Sequence, residues 1–223
     1  EAYDQRLFKI YQKTFEEGEI EFPAVQQLFY KRLNGARFER FYGGREALLE
    51  KEWVIDGRSL GTLNQAMKSA LADLSSENQL SFSVIGHGDA HNGNVFWASD
   101  GLKLFDPAYA GRMDPFLDLA KPLFHNTFAR WMYFPDRGTE LNVFEQMFLE
   151  SKMKNVLKPL VRWLDDRGLL PVNWESRLRS ALFCCPFLTV NLFDDSKYPK
   201  EVREFGLQRA MEMANFNFSP YLS

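Results

Sequence analysis

Cysteine is almost missing from this sequence: Cys184 and Cys185 are the only two, and they are neighbours. Adjacent Cα atoms across a trans peptide sit closer than ordinary disulfide geometry allows, so the chain has no disulfide framework and no Cys-based zinc site. Free thiols fit a reducing, cytoplasmic compartment. A basic excess is missing as well. The 27 Lys and Arg are scattered among 30 Asp and Glu, for a net charge of −3, which leaves no cationic stripe for a nucleic-acid backbone. No stretch approaches the roughly 18 consecutive apolar residues of a membrane span. The opening Glu1-Ala2-Tyr3-Asp4 also lacks the basic-then-apolar order of a signal peptide. Neither nucleic acid nor a membrane is an expected partner. Internal repeats and low-complexity linkers are absent too, and 223 residues at 45% hydrophobic content suffice for one sizeable core.

What is present is mostly helical periodicity. Apolar residues recur at helical spacing at Tyr3, Leu7, Ile10 and Tyr11, then at Val25, Leu28, Phe29 and Leu33, then at Leu63, Ala66, Met67, Ala70 and Leu74. Asp56-Gly57 and Gly61-Thr62 supply turn and cap chemistry ahead of the third helix. The period then changes. Phe82-Ser83-Val84-Ile85 is a short strand, and Val95-Phe96-Trp97 and Leu102-Lys103-Leu104-Phe105 bracket Ser99-Asp100-Gly101 as a hairpin. Helical spacing resumes at Asp114-Pro115, where Asp caps and Pro suits the first helical position. It continues through Leu141, Phe144, Met147 and Phe148, through Val156, Leu157, Leu160 and Leu164, and through Leu178, Ala181 and Leu182. The expected fold is mainly α with a small β-hairpin insert, an α+β chain. It divides into a helical segment at 1–80, a loop-and-hairpin segment at 81–120 and a second helical segment at 121–223.

Chemistry concentrates in the loop His87-Gly88-Asp89-Ala90-His91-Asn92-Gly93-Asn94 and at Asp106, which ends an apolar strand. Phosphoryl transfer needs a group to orient the attacking hydroxyl and oxygen ligands for Mg²⁺. An Asp, an Asn after four intervening residues and a later Asp meet those needs in protein kinases. Asp89, Asn94 and Asp106 stand in that order. Mg²⁺ takes hard oxygen donors and only one or two carboxylates; Asn94 offers a neutral carbonyl and Asp106 a charge.

The loop, then Leu104-Phe105-Asp106, then Asp114-Pro115-Phe116-Leu117-Asp118-Leu119-Ala120 together resemble the motifs of the aminoglycoside phosphotransferase and choline kinase superfamily. The resemblance implies that Asp89 is the catalytic residue acting on the substrate hydroxyl. It implies that Asn94 and Asp106 bind Mg²⁺ and, through it, the nucleotide. His87, Asp114 and Asp118 become structural supports of the loop. Pro107 follows Asp106 where that superfamily varies. The cofactors implied are Mg²⁺ and ATP or another nucleoside triphosphate, and the partner is a small-molecule hydroxyl acceptor. The resemblance also implies a nucleotide-covering amino-terminal lobe. No Gly-rich strand-turn-strand is expected before Asp89 and the sequence does not open on Met, so the expectation is the carboxy-terminal lobe of a kinase-like enzyme with its nucleotide lobe outside this chain.

Competing readings attach to the same residues. A fold without catalysis, acting as a binding or regulatory module, is one alternative. His87, Asp89 and His91 also form a His-x-Asp-x-His run of the kind that binds zinc in hydrolases, although only His125 remains as a further histidine. Phe124, Phe128, Trp131, Tyr133 and Phe134 either cage a quaternary amine or pack a core. Their helical spacing favours the core. Asp165-Asp166 and Asp194-Asp195 read as solvated helix ends.

Overall fold

The protein is described by a computed structural model that covers residues 1–18, 20, 22–107, 109–137 and 145–222. Helix α1 spans Ala2–Thr14, burying Leu7 and Tyr11 one turn apart on one stripe. Strand β1 (Glu16–Glu17), helices α2 (Ala24–Leu33), α3 (Ala36–Tyr42) and α4 (Glu46–Leu49) follow.

Next comes a hairpin of β2 (Glu52–Ile55) and β3 (Arg58–Thr62). Asp56 and Gly57 both take positive φ, 51° and 75°, which is the twist that joins two strands through a two-residue turn. This corrects the expectation that no strand-turn-strand precedes Asp89 and that Asp56-Gly57 belongs to a helix start. Only Trp53 and Thr62 of the nine strand residues are buried, so the two strands carry no apolar alternation that the sequence could display. Thr62 does cap helix α5 (Leu63–Asp73): its hydroxyl accepts from Gln65 N, and the Gln65 side chain accepts from Thr62 N.

Strand β4 (Phe82–Gly86) is the centre of a small antiparallel sheet. β1 lies on one side and β7 (Gly111–Met113) on the other, with Val84 opposite Met113 and Gly86 opposite Gly111. Between β4 and β7 the chain makes the hairpin of β5 (Val95–Ala98) and β6 (Gly101–Leu104). Helix α6 (Pro115–Thr127) then runs through the core, buried at nearly every position. Asp114 caps it by accepting from Phe116 N at 2.8 Å. The other oxygen of Asp114 accepts from Arg177 Nε at 3.0 Å, and both side chains are fully enclosed.

Helices α7 (Arg130–Tyr133), α8 (Glu145–Lys152) and α9 (Lys158–Asp165) follow, with a π turn at Met153–Leu157 between the last two. Pro159 offers no N–H to the turn before it, which fits a widened turn there. Leu141 and Phe144 of the expected helix lie outside the described residues; Met147 and Phe148 sit exposed on α8. Helix α10 (Trp174–Leu188) packs against α5, α6 and α11 (Lys200–Ala214), and α12 (Ser219–Leu222) closes the described chain. Cys184 and Cys185 are buried free thiols in α10; burial pushes both up, Cys185 to about 12, so neither ionises near neutrality. The whole is α+β, helices around three small antiparallel sheets among the described residues. No helix among them is long and apolar enough to cross a membrane.

Candidate active site

The loop leaves β4 through two glycines that its packing requires. A side chain at Gly86 would meet Met113 Sδ at 2.5 Å and Asp118 Cγ at 2.7 Å, and Gly88, at φ +75°, has Tyr109 Cβ 2.4 Å from where its own Cβ would be. The loop backbone therefore lies directly on Asp118. Asp118 Oδ1 accepts from Gly88 N at 2.6 Å and Oδ2 accepts from the Tyr11 hydroxyl at 2.7 Å. Full burial raises the Asp118 pKa, and the Tyr11 and Gly88 hydrogen bonds oppose that rise. Helix α1 adds two further ties: Tyr3 donates to the carbonyl of Ala90, and Thr14 Oγ1 accepts from Ile85 N at 2.9 Å.

His87 sits beneath the loop with both ring nitrogens engaged. Nε2 donates to the carbonyl of Phe105 at 2.9 Å, and Nδ1 accepts from Asp89 N at 3.3 Å. One tautomer satisfies both bonds. Neither nitrogen is left for a metal, and among the described residues no three His, Cys, Asp or Glu side chains gather as a metal-binding group. The zinc arrangement drawn from His87, Asp89 and His91 has no geometric support here.

Asp89, Asn94 and Asp106 are brought together by backbone contacts. Asn94 Nδ2 donates to the carbonyl of Asp89 at 2.9 Å, and Phe105 N donates to the carbonyl of Asn94 at 3.0 Å. With its amide nitrogen so committed, Asn94 keeps its carbonyl Oδ1 as a hard donor. Asp106 follows Phe105 as an exposed residue at φ 56°. One neutral and one anionic oxygen donor would suit Mg²⁺ better than a softer ion.

The carboxylate of Asp89 faces a cation that the sequence reading passed over. Lys121 Nζ lies 3.1 Å from Asp89 Oδ1, with the lysine side chain only 6% exposed. The contact is an ion pair without hydrogen-bond alignment, since Oδ1 has no hydrogen-bond partner. His91 Nε2 lies 3.8 Å from the same oxygen. Beyond His91 opens a cleft of about 670 Å³ bordered by His125, Asn126, Thr127, Arg130 and Tyr133. The His91 and His125 rings are 5.6 Å apart, and His125 Nδ1 is 2.8 Å from the Tyr133 hydroxyl. Burial, then the charge of Lys121, holds His125 well below the usual histidine range; burial also lowers His91. Both rings are therefore neutral at pH 7. The expected aromatic cluster divides: Phe124, Phe128 and Trp131 are core, whereas Tyr133 and Phe134 are exposed at this cleft.

A family model for the phosphotransferase enzyme family matches residues 25–150, more than half of the chain. The chain belongs to the phosphotransferase enzyme family. No curated protein and no solved structure matches it. The part matched to the phosphotransferase enzyme family holds the loop, Asp106, Asp114, Asp118 and Lys121, whereas Tyr3, Tyr11 and Thr14 of α1 and Arg177 of α10 lie outside it. Signals for two of these were present. Lys121 interrupts the apolar run from Phe116 to Phe124, and Arg177 stands beside Leu178 on a buried helix; a lone cation in such a setting marks an enclosed partner. Nothing in the sequence connects Tyr11 to Asp118, which are 107 residues apart.

Proposed function

We propose that this chain is the helical lobe of a kinase-like phosphotransferase. It carries Mg²⁺-dependent transfer of the γ-phosphoryl group of ATP, or of another nucleoside triphosphate, to a hydroxyl of a small molecule. A nucleotide-covering lobe outside these residues completes it, and the setting is cytoplasmic. The observation that supports this reading is the hydrogen bond from the Asn94 side chain to the carbonyl of Asp89, with Phe105 N, one residue before Asp106, donating to the backbone carbonyl of Asn94. A base and two oxygen donors are thereby held in one frame.

In that frame Asp89 accepts or orients the proton of the acceptor hydroxyl, and Lys121 holds its carboxylate in place. Asn94 Oδ1 and the Asp106 carboxylate hold the metal, which when bound neutralises phosphate charge. Asp118, Asp114 and His87 fix the backbone under these groups, so the geometry is set before substrate arrives. The cleft beyond His91 takes the acceptor. In the complete enzyme, Asp106→Asn should abolish turnover with the melting temperature unchanged, because an exposed carboxylate contributes little to packing. Retained turnover at saturating Mg²⁺ would sink the assignment.

A further inference from the structure

One cleft borders the catalytic loop and a second borders Tyr109, and among the described residues neither is lined by a carboxylate. The first, beyond His91, is lined by Arg130 and by His125, Asn126 and Thr127, each of which encloses a polar atom without a partner: His125 Nε2, Asn126 Nδ2 and Thr127 Oγ1. His125 is 9% and Thr127 2% exposed, so water does not satisfy these atoms as it would at a surface. The amide of Asn126 has a fixed sense, because its Oδ1 accepts from Asn92 N at 2.6 Å. Its Nδ2 is left as a donor without an acceptor.

The second cavity, about 390 Å³, is bounded by Lys31, Arg32, Arg37 and Tyr109. Tyr109 is the side chain that packs on Gly88, which puts this cavity at the opposite flank of the sequence motif. Lys31 and Arg32 lie in the last turn of α2, where cations suit the helix dipole. Arg37 lies in the first turn of α3, where the dipole opposes a cation. One of its nitrogens donates to the carbonyl of Leu188 at 3.1 Å, which accounts for one arm of the guanidinium. Burial and then the charges of Arg32 and Arg40 lower its pKa. No carboxylate pairs with Lys31, Arg32, Arg37 or Arg130 among the described residues. Within the loop itself the carboxylate, Asp89, already faces Lys121.

A cationic amine entering either cleft would meet like charge with no carboxylate in the lining and, near the first, an Asp89 already paired with Lys121, whereas an anion would relieve the crowding and fill the unmet donors. We propose that the acceptor is an acidic, polyhydroxylated molecule of the sugar-acid class, its hydroxyls held by the unpartnered polar atoms and its acid group neutralised by Arg130 or by Arg32 with Arg37. The inference rests on the phosphotransferase reading for the role of the bound molecule.

Gluconate, sorbitol and choline serve as probes, titrated into isotope-labelled protein while the Asn126 side-chain amide and the arginine signals are followed. Gluconate should bind more tightly than sorbitol, and choline should leave the spectrum unchanged. Gluconate affinity should fall at least about tenfold in Arg130→Gln or in the Arg32→Gln/Arg37→Gln pair, the loss of one charge-assisted contact. Choline binding as tightly as gluconate, no gluconate binding, or wild-type affinity in both variants overturns the proposal. Displacement of gluconate by Mg²⁺-ATP also overturns it, by giving the cations to the nucleotide. Failure of the phosphotransferase reading appears separately, as no phosphoryl transfer from Mg²⁺-ATP by the complete enzyme to any hydroxyl acceptor, and leaves gluconate binding unaffected.

Discussion

The ring of His87 donates from Nε2 to the carbonyl of Phe105 at 2.9 Å, fixing the residue before Asp106 against the loop that carries Asp89. The same ring accepts from Asp89 N, so one side chain spaces Asp89 from the strand end that leads into Asp106. His87→Ala should therefore lower stability by about 1 to 3 kcal/mol, the cost of leaving enclosed polar groups unpaired. Turnover should fall with it.

Asp89→Asn should behave differently. If Asp89 acts on the acceptor proton as proposed, turnover should drop by about 10² to 10⁴ with nucleotide affinity nearly unchanged, and some stability should be lost as well because the enclosed Lys121 loses its counter-charge. Thermal melting and steady-state kinetics on both variants of the complete enzyme separate the two roles. A turnover loss in Asp89→Asn no larger than in His87→Ala would remove the distinction.

Lys121 and Asp89 form a pair whose strength a double-mutant cycle can measure. Lys121→Met strips the counter-charge from a carboxylate that is 23% exposed, so the loss should be about 1 to 3 kcal/mol, below the cost at a fully enclosed site. Asp89→Asn introduced into Lys121→Met should restore most of that stability, because no uncompensated charge then remains. Additive losses in chemical denaturation would show that the two side chains do not interact.

Acid should weaken the fold through His125. Burial and Lys121 depress its folded pKa well below 6.5, whereas an unfolded chain restores the ordinary value. As pH falls below about 6.5 the unfolded state gains a proton that the folded state refuses, so stability declines with acidification until the folded pKa is reached. His91, lowered in the same direction, adds to the effect. Urea unfolding at pH 7 and pH 5.5 should show a smaller loss for His125→Gln than for the parent. Identical losses would exclude His125 as the source.

Helices, the β5–β6 hairpin and the cap of α6 were legible because each is coded locally, by period, turn residues or an Asp-Pro start. Thr62 was legible as a cap for the same reason, whereas the Asp56-Gly57 turn was assigned to the wrong element. Its strands, Glu52–Ile55 and Arg58–Thr62, lie mostly in solvent and show no alternation. In the candidate site the sequence named the residues that the loop itself supplies. It missed Lys121, and it could not connect Tyr11 with Asp118, because those contacts depend on where α6 and α1 come to rest. Asp165-Asp166 and Asp194-Asp195 are exposed, and Asp195 pairs with Arg203.

Asp106 holds a left-handed backbone at φ 56°, and that conformation narrows the alphabet available at one position. Gly, Asn and Asp enter it at little cost, whereas a β-branched or bulky side chain strains it. Under the proposed role two independent filters would act on residue 106: the backbone admits a few residue types, and cation binding would retain from those the one with a charge. A saturation library would separate the filters, with folded protein persisting for Gly and Asn and activity surviving for Asp alone. Glu, the usual stand-in for Asp, would fail at the first filter before its carboxylate was ever tested.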